Sequence, residues 1–158
     1  MLERISKENY YLDIAQTVSE RSTCLRRRFG AVIVKNDSII STGYNGAPRG
    51  RANCNELGSC YRDTLGIPRG ERYELCRSVH AEANAIIAAP REQMLGATIY
   101  MCCTSPVDGS VMAGTTSCMM CKRLIINAGI ERLVVRDDAL NFRVWISDDD
   151  SLGGKLGY

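Results

Sequence analysis

Apolar positions recur along this chain with two different periods, and each change of period marks a boundary between elements. Residues 6–21 follow a helical repeat that begins behind Ser6, whose hydroxyl can cap a helix. Two short runs rich in β-branched residues, 31–35 and 38–43, flank Asn36-Asp37, a dipeptide typical of tight turns. The pattern predicts one helix followed by a β-hairpin.

The second half of the chain alternates between the same two patterns. Residues 80–89 are an alanine-rich helical stretch that stops before Pro90. Residues 97–102 and 131–136 are apolar runs of strand length, and 118–128 has a helical repeat ended by a glycine. Helices and strands in this order predict a three-layer α/β/α sandwich around a mixed central sheet of about five strands.

The stretch from residue 44 to residue 72 has no sustained period and is rich in Gly, Pro, Asn and Arg. Loops of this length inside a compact domain are uncommon, and they are usually functional or pinned by a metal. We expect this stretch to form a wall of the functional site.

Length and composition fit one soluble domain followed by a short tail. The chain has 158 residues, 45% of them hydrophobic and 24% charged, which is ordinary for a globular protein. Residues 148–158 are acidic and then glycine-rich with little to bury, so we expect a poorly ordered tail. The predicted domain is therefore 1–147.

Charge and hydropathy argue against several classes of partner. The 20 basic and 18 acidic residues give a net charge of +2, so no global field favours nucleic acid or an anionic membrane. Residues 1–12 mix charges with isolated apolar side chains, unlike a signal peptide, and no later stretch is long enough to span a bilayer. We expect a cytoplasmic protein.

The eight cysteines are interpreted as thiols rather than disulfides, because the sequence shows no export signal. Only Cys118 and Cys121 have the two-residue gap typical of a zinc knuckle. Cys102 and Cys103 lie on a predicted buried strand and are expected to be core residues. The remaining four are Cys24, Cys54, Cys60 and Cys76.

The only histidine of the chain stands in the motif His80-Ala81-Glu82. One His with two Cys is a recognised ligand set for catalytic zinc, which leaves the fourth tetrahedral position for water. His80 and Cys118 both fall at predicted helix starts, where unpaired N–H groups and the helix dipole favour the thiolates that the metal requires. Glu82 is not a ligand in this arrangement and is placed to move a proton of that water. Taken singly, each motif has common structural or redox uses, but the combination favours a zinc hydrolase.

These motifs resemble the signature of zinc-dependent nucleobase deaminases, in which His-x-Glu is followed by Pro-Cys-x-x-Cys. Within that superfamily the chain is most similar to the deoxycytidylate deaminases, from about Ser6 to Val135. The similarity rests on blocks that occur in the same order, which is far more specific than a single motif. The blocks are residues 21–24, 29–34, 41–48, 79–86 and 118–122 with 125–130.

The resemblance implies a reaction, a cofactor and an assembly. Members hydrolyse dCMP to dUMP and ammonia with a zinc-activated water, and the dUMP feeds thymidylate synthesis. His80, Cys118 and Cys121 would hold the zinc. Glu82 would take the proton of the water, deliver it to the cytosine ring nitrogen, and then protonate the departing amine. Members are commonly hexameric, and they are often activated by dCTP and inhibited by dTTP. We therefore expect a homo-oligomer that binds a nucleotide and no nucleic acid.

Residues that contact the nucleotide are carried over from the same blocks. By this likeness, Asn45 should contact the sugar or the base. The 5′-phosphate requires basic and polar side chains, and the local supply is Arg21, Ser22, Arg26 and Arg28. The alternative for the run Arg26-Arg27-Arg28 is a solvated surface.

A second, non-catalytic zinc is found in some microbial and phage members, held by Cys and His residues. The segments involved contain Cys24, Cys54 and Cys76 in this chain. No histidine is left for such a site here, so its ligands would have to be four thiolates, with Cys60 as the fourth. The alternative is that one or more of these cysteines are small buried side chains.

Two departures from the family pattern stand close to the predicted zinc. Ser117 takes the place of the usual proline before the Cys-x-x-Cys pair, and its hydroxyl is expected to cap the helix. The link 101–117 is longer than in the family and should overhang the active site. Thr115 and Thr116 stand where an aromatic residue often packs on the base.

These departures keep two alternatives open beside dCMP deamination. One is a deaminase of another cytosine compound, such as dCTP, CMP, a nucleoside or a modified dCMP. The other is a zinc-binding module without turnover, which would have no need of a carboxylate such as Glu82 beside an open metal position.

Overall fold

The computed structural model describes residues 1–147, and its centre is a mixed sheet of five strands. The strands are β1 (Arg28–Lys35), β2 (Ser38–Tyr44), β3 (Thr98–Thr104), β4 (Arg132–Arg136) and β5 (Phe142–Ile146). Their order across the sheet is β2-β1-β3-β4-β5, with β3 and β4 parallel and the other neighbours antiparallel. The predicted tail, 148–158, lies outside the described residues.

Helices cover both faces of this sheet. They are α1 (Lys7–Ser19), α2 (Cys54–Leu57), α3 (Tyr61–Thr64), α4 (Ala81–Ile87), α5 (Arg91–Met94) and α6 (Met119–Asn127), with a 3-10 turn at Tyr73–Leu75. α1 packs on one face of the sheet, whereas α4 and α6 pack on the other. The predicted three-layer sandwich with its mixed sheet is therefore confirmed. None of the helices in the described part of the chain is long and apolar enough to cross a membrane.

Strand β1 is buried on both faces, because it lies inside the sheet between the two helical layers. Ala31 and Ile33 pack into the core formed with α4 and α6, whereas Val32 and Val34 pack against α1. A strand covered on both faces is apolar throughout, and this run is therefore apolar without alternation. The predicted turn that follows is also confirmed: Asn36-Asp37 has φ angles of 51° and 59°, as a two-residue hairpin turn requires.

Gly43 in β2 sets how deeply α4 lies on the sheet. A β-carbon at this position would lie 2.3 Å from the carbonyl oxygen of Ala81 and 2.5 Å from the amide nitrogen of Ala85. Such close backbone contact is open only to glycine. Since α4 begins at Ala81, the contact also fixes the position of His80, which directly precedes it.

Besides the one-turn helix α5, two parts of the fold differ from the sequence prediction. The stretch 44–72 contains the one-turn helices α2 and α3, each too short to leave a helical repeat in the sequence. Strand β5 extends the sheet beyond the last predicted strand, 131–136. It is an edge strand with partly exposed side chains, so its five residues carry only a weak apolar pattern.

Candidate active site

Two helix starts meet in the structure and bring the predicted zinc ligands together. His80 is the N-cap of α4 and Cys118 is the N-cap of α6. His80 Nδ1 lies 3.5 Å from Cys118 Sγ and 3.4 Å from Cys121 Sγ, and the three ligand atoms are within 4.8 Å of one another. Ligands of a tetrahedral zinc are about 3.5 Å apart, so the donor types and their spacing fit this ion. Within residues 1–147 no other group of three such side chains is as close.

Local geometry explains why these sulfur atoms share one side of the helix start. Cys118 Sγ accepts a hydrogen bond from the backbone N–H of Cys121 at 3.4 Å, as a capping side chain does. Hydrogen bonding from the Cys121 thiol lowers the pKa of Cys118, and His80 adds to the effect. Hydrogen bonds with Cys118 and with Cys76 raise the pKa of His80 to about 10. In the metal-free cluster these contacts favour the thiolate at Cys118, whereas the hydrogen bond with Cys118 and burial raise the pKa of Cys121. Zinc would displace the protons of Cys121 and His80, because it binds thiolate and neutral imidazole.

Glu82 lies in the first turn of α4 with 4% of its surface exposed. Its Oε1 accepts a hydrogen bond from Ser117 Oγ at 2.9 Å, and Ser117 is 2% exposed. Burial raises the pKa of the Glu82 carboxyl, because the charged form loses its contact with water. Ser117 was expected to cap α6, but Cys118 occupies the cap position and the serine hydroxyl binds the carboxylate instead.

A cavity of about 410 Å³ opens over this cluster and is lined by His80, Glu82 and Cys118. This volume is within the usual range for small-molecule sites. Its walls come from the start of β1, from the segment that carries α3 and the 3-10 turn, and from residues 114–117. The long loop and the extended link before α6 therefore both contribute to the cavity wall, as their sequences suggested.

Asn45 lines the cavity and is 6% exposed. Its Oδ1 accepts hydrogen bonds from Ser22 Oγ and from the Phe29 backbone N–H, the latter at 2.8 Å, and its Nδ2 donates to the Arg27 carbonyl at 2.9 Å. Ser22 is buried and reaches Asn45 rather than the cavity. The pair fixes the chain where β1 begins.

The three arginines predicted to bind the phosphate differ in their position relative to the cavity. Arg26 lines the cavity and forms an ion pair with Asp63 at 3.1 Å. Arg21 is exposed and Arg28 is half-buried, and neither belongs to the cavity lining. Their contribution to substrate binding stays a prediction.

Arg27 and Arg69 also line the cavity, although neither is among the arginines predicted from the sequence. Neither guanidinium makes an ion pair or a hydrogen bond to any residue in 1–147. Arg27 shares a face with Phe29, which lines the cavity too, because side chains alternate as the chain enters β1. That alternation was the available signal for Arg27, whereas no motif marks Arg69.

The four remaining cysteines surround the same cavity, and each of them belongs to its lining: Cys24, Cys54, Cys60 and Cys76. Burial raises the pKa of Cys54, and the neighbouring thiols, with Cys24 first, raise it further. A hydrogen bond with His80 lowers the pKa of Cys76. The four thiols are neighbours, but among the described residues they are not drawn into a cluster as tight as that of His80. Cys102 and Cys103 are fully buried, which confirms them as core residues.

The fold and this cluster together define a class of protein. A helix that begins with His-Ala-Glu, facing a helix that begins with Cys-x-x-Cys, is the arrangement of the zinc-dependent nucleobase deaminases. Residues 5–137 match the family described as the cytidine and deoxycytidylate deaminase zinc-binding region, and the chain belongs to this family.

Individual relatives agree with this assignment. The deoxycytidylate deaminase of Mycobacterium phage D29 is 38% identical over 138 residues, covering 84% of this chain and 96% of the relative. The deoxycytidylate deaminase of Schizosaccharomyces pombe is 37% identical over 131 residues, covering 83% of this chain. This chain spans only 37% of the length of the yeast protein, whereas it spans nearly all of the phage enzyme.

Solved structures show the same fold. The dCMP deaminase of cyanophage S-TIM5, in complex with dCMP and dUMP, is 25% identical and superposes with a TM-score of 0.59. The match covers 99% of this chain and 96% of that chain. The cytidine deaminase of Burkholderia pseudomallei, at 16% identity and a TM-score of 0.54, shares the fold.

Proposed function

We propose that this chain hydrolyses dCMP to dUMP and ammonia, and that it supplies dUMP for thymidylate synthesis. The observation that carries the proposal is the buried carboxyl of Glu82, which lines one cavity together with His80 and Cys118. The deoxycytidylate deaminases of phage D29 and yeast, and the S-TIM5 complex with dCMP and dUMP, support the choice of substrate.

The ligands of the catalytic zinc in this proposal are His80 Nδ1 and the sulfur atoms of Cys118 and Cys121. Their donor chemistry and spacing suit the ion, as described above. A zinc ion held there would lower the pKa of a bound water to about 7, and would thereby supply the nucleophile at neutral pH.

Glu82 moves the protons of the reaction. Its carboxylate takes one proton from the attacking water and delivers it to N3 of the cytosine ring as the C4–O bond forms. It then takes the second proton from the same oxygen and gives it to the amine, which leaves as ammonia when the C4–N bond breaks. Ser117 holds Oε1 by a hydrogen bond, which orients the carboxyl group. Burial excludes bulk water from this carboxyl, and a raised pKa keeps proton uptake favourable.

The nucleotide is bound by side chains at the start of β1. Arg26 and Arg27 both line the cavity, and Arg27 has no other ion-pair partner among residues 1–147, so its guanidinium is available for the 5′-phosphate. Asn45 lines the same wall and is assigned to the sugar or the base. Ser22 holds Asn45 in place through its hydrogen bond.

A panel of cytosine compounds tests the proposal: the nucleoside and its mono-, di- and triphosphates, in the ribo and deoxy series. Loss of cytosine absorbance is expected for dCMP, with the other compounds much poorer substrates. The variant R27M is expected to raise KM for dCMP about 10- to 100-fold, the usual cost of a lost charge-assisted hydrogen bond, and to leave deoxycytidine turnover unchanged.

The matched control for this panel is R123M, since Arg123 is an exposed arginine on α6. It should behave like the unaltered chain. Preferred turnover of dCTP, CMP or a modified dCMP would favour the alternative, a deaminase of another cytosine compound. Thr115 and Thr116 in the cavity wall are the departure from the family pattern that keeps this alternative open. Absence of turnover with zinc bound would favour the non-catalytic module. Equal effects of R27M on dCMP and deoxycytidine would contradict the phosphate role of Arg27.

The family likeness also supports a cytoplasmic homo-oligomer, a hexamer, that is activated by dCTP and inhibited by dTTP. The mass of the assembly in solution tests the hexamer. Addition of each triphosphate to the dCMP assay tests the regulation.

A second zinc per chain, held by Cys24, Cys54, Cys60 and Cys76, forms part of the proposal. The support is that these thiols surround one cavity and that Cys54 is electrostatically coupled to the other three. Zinc analysis should give two ions per chain, and C54S should lower the content to one. The control is C102A, which removes a buried cysteine on the α1 side of the sheet and should leave two ions. One ion per chain in the unaltered protein would contradict this site.

A further inference from the structure

The link between β3 and α6 is held by hydrogen bonds along its first part. Thr104 and Val111 pair in an isolated antiparallel bridge, and the Met112 N–H donates to the Cys103 carbonyl at 2.9 Å. Between them, the Ser105 N–H donates to the Ser110 carbonyl at 2.9 Å and closes a tight turn. The chain therefore folds back on the end of β3 before it turns towards the cavity.

The second part of the link is held from the other side, by one residue directly after β4 and one residue of β5. Asp137 Oδ1 accepts a hydrogen bond from the Gly114 N–H at 2.9 Å. The guanidinium of Arg143 donates to the Thr115 carbonyl. Two successive backbone groups of the cavity wall are thus bound by two side chains that lie more than 20 residues further along the chain.

Asp137 and Arg143 also bind each other. Arg143 Nε donates to Asp137 Oδ2 at 2.7 Å and Arg143 Nη2 donates to Asp137 Oδ1 at 2.9 Å, which is the two-point geometry that orients both groups. The Arg143 guanidinium lies over the ring of Trp145, 4.9 Å from its centroid. We call Asp137 and Arg143 the clamp.

The clamped wall leads directly to the proton shuttle. Two residues after Thr115, Ser117 Oγ donates to Glu82 Oε1 at 2.9 Å. Thr115, Ser117 and Glu82 are all buried, so a shift of the wall is transmitted to the carboxyl through packed groups.

We propose that Asp137 and Arg143 are positioning residues: they fix residues 114–117 as a wall of the cavity and thereby keep Ser117 on the Glu82 carboxyl. The proposal rests on the proposed function, since it needs Glu82 as the proton shuttle. A misplacement of about 1 Å at a reacting group can lower the rate about 100-fold, even when the altered residue lies away from the chemistry. The clamp forms no hydrogen bond or ion pair with His80, Cys118 or Cys121, so its loss should leave zinc binding intact.

The test compares the unaltered chain with D137A, R143M and the double variant. The measured quantities are kcat for dCMP per bound zinc and KM for dCMP. Each single variant is expected to lower kcat about 10- to 100-fold, with a smaller change in KM and an unchanged zinc content. The double variant should lose no more than the worse single variant, because the two side chains act as one device. R143K, which keeps the charge but not the two-point geometry, should be intermediate.

Emission of Trp145, the only tryptophan of the chain, provides a readout that does not depend on turnover. D137A should change this emission, because Arg143 loses the partner that holds it over the ring. The matched control is K7M, which breaks the exposed ion pair of Lys7 with Asp37 and should change neither emission nor kcat.

Two results would overturn the clamp. One is an unchanged kcat per bound zinc in D137A and R143M. The other is a loss of activity in these variants that matches their loss of folded protein, measured by thermal melting, while R143K is fully folded and as active as the unaltered chain. If the unaltered chain with zinc bound turns over no dCMP, both the proposed function and the clamp fail. If it turns over dCMP and the clamp variants do the same, only the clamp fails.

Discussion

Replacing Glu82 by glutamine is expected to lower ammonia release from dCMP by about 10³-fold or more while the zinc content stays unchanged. Glutamine has nearly the same shape but cannot take up a proton and release it again, and general acid–base groups typically contribute about 10²- to 10⁴-fold. Glu82 serves several proton transfers of the reaction, so the loss should lie towards the upper end of that range. Loss of cytosine absorbance and the amount of bound zinc are the two measurements.

The fold of this variant should be intact, and the direction of its stability change follows from the burial of the carboxyl. Burial raises the pKa of Glu82, so at neutral pH the folded chain bears the cost of a buried charge that the unfolded chain does not. Glutamine removes this cost, and the melting temperature of E82Q should not fall. The matched control is E92Q, which alters an exposed glutamate on α5 and should keep full activity. An E82Q enzyme that still turned over dCMP would rule out the proton shuttle proposed here.

The parts of the fold that the sequence predicts are those with local causes. The alternating cores on the two sides of β1 require only that Ala31 to Val34 all be apolar, and the turn at Asn36-Asp37 requires only residues that tolerate positive φ. Strand β5 has no such cause, because its place in the sheet depends on pairing with β4. Its register is a long-range property and leaves little trace in five residues.

The candidate site divides in the same way. His80, Glu82 and Cys121 were selected from two short motifs, because the spacing within a helix start already determines which side chains share a face. The choice among neighbouring arginines was harder, since Arg27 and Arg28 differ only in the phase with which the chain enters β1. If the extended backbone of β1 begins one residue earlier or later, a different one of these two arginines reaches the cavity.

Contacts that join distant segments were beyond prediction. Ser117 is close to the zinc motif in sequence, and helix-capping rules assign its hydroxyl to α6. In the folded chain a stronger acceptor, the Glu82 carboxyl, is brought next to it by the packing of α4 against α6. The bonds of Asp137 and Arg143 to the cavity wall are of the same kind, because nothing in either local sequence points to the other.

Replacing Cys121 by serine is expected to remove the catalytic zinc and with it all measurable turnover of dCMP. A serine hydroxyl does not ionise near neutral pH, so it cannot replace the thiolate that the ion requires, and two ligands hold zinc far more weakly than three. Without the ion, the water has its ordinary pKa. The free energy needed to deprotonate it then rises by about 12 kcal/mol, at about 1.36 kcal/mol per pKa unit.

The measurement is zinc per chain together with activity before and after chelation. The unaltered enzyme should lose activity with its zinc and regain it when zinc is restored, whereas C121S should bind one ion fewer and regain nothing. The matched control is C102A, whose cysteine is equally buried but lies on the α1 side of the sheet and should keep both zinc and activity. Because zinc displaces protons from its ligands, restoration should also weaken as the pH falls. A C121S enzyme with full zinc content and unimpaired turnover would place the metal elsewhere.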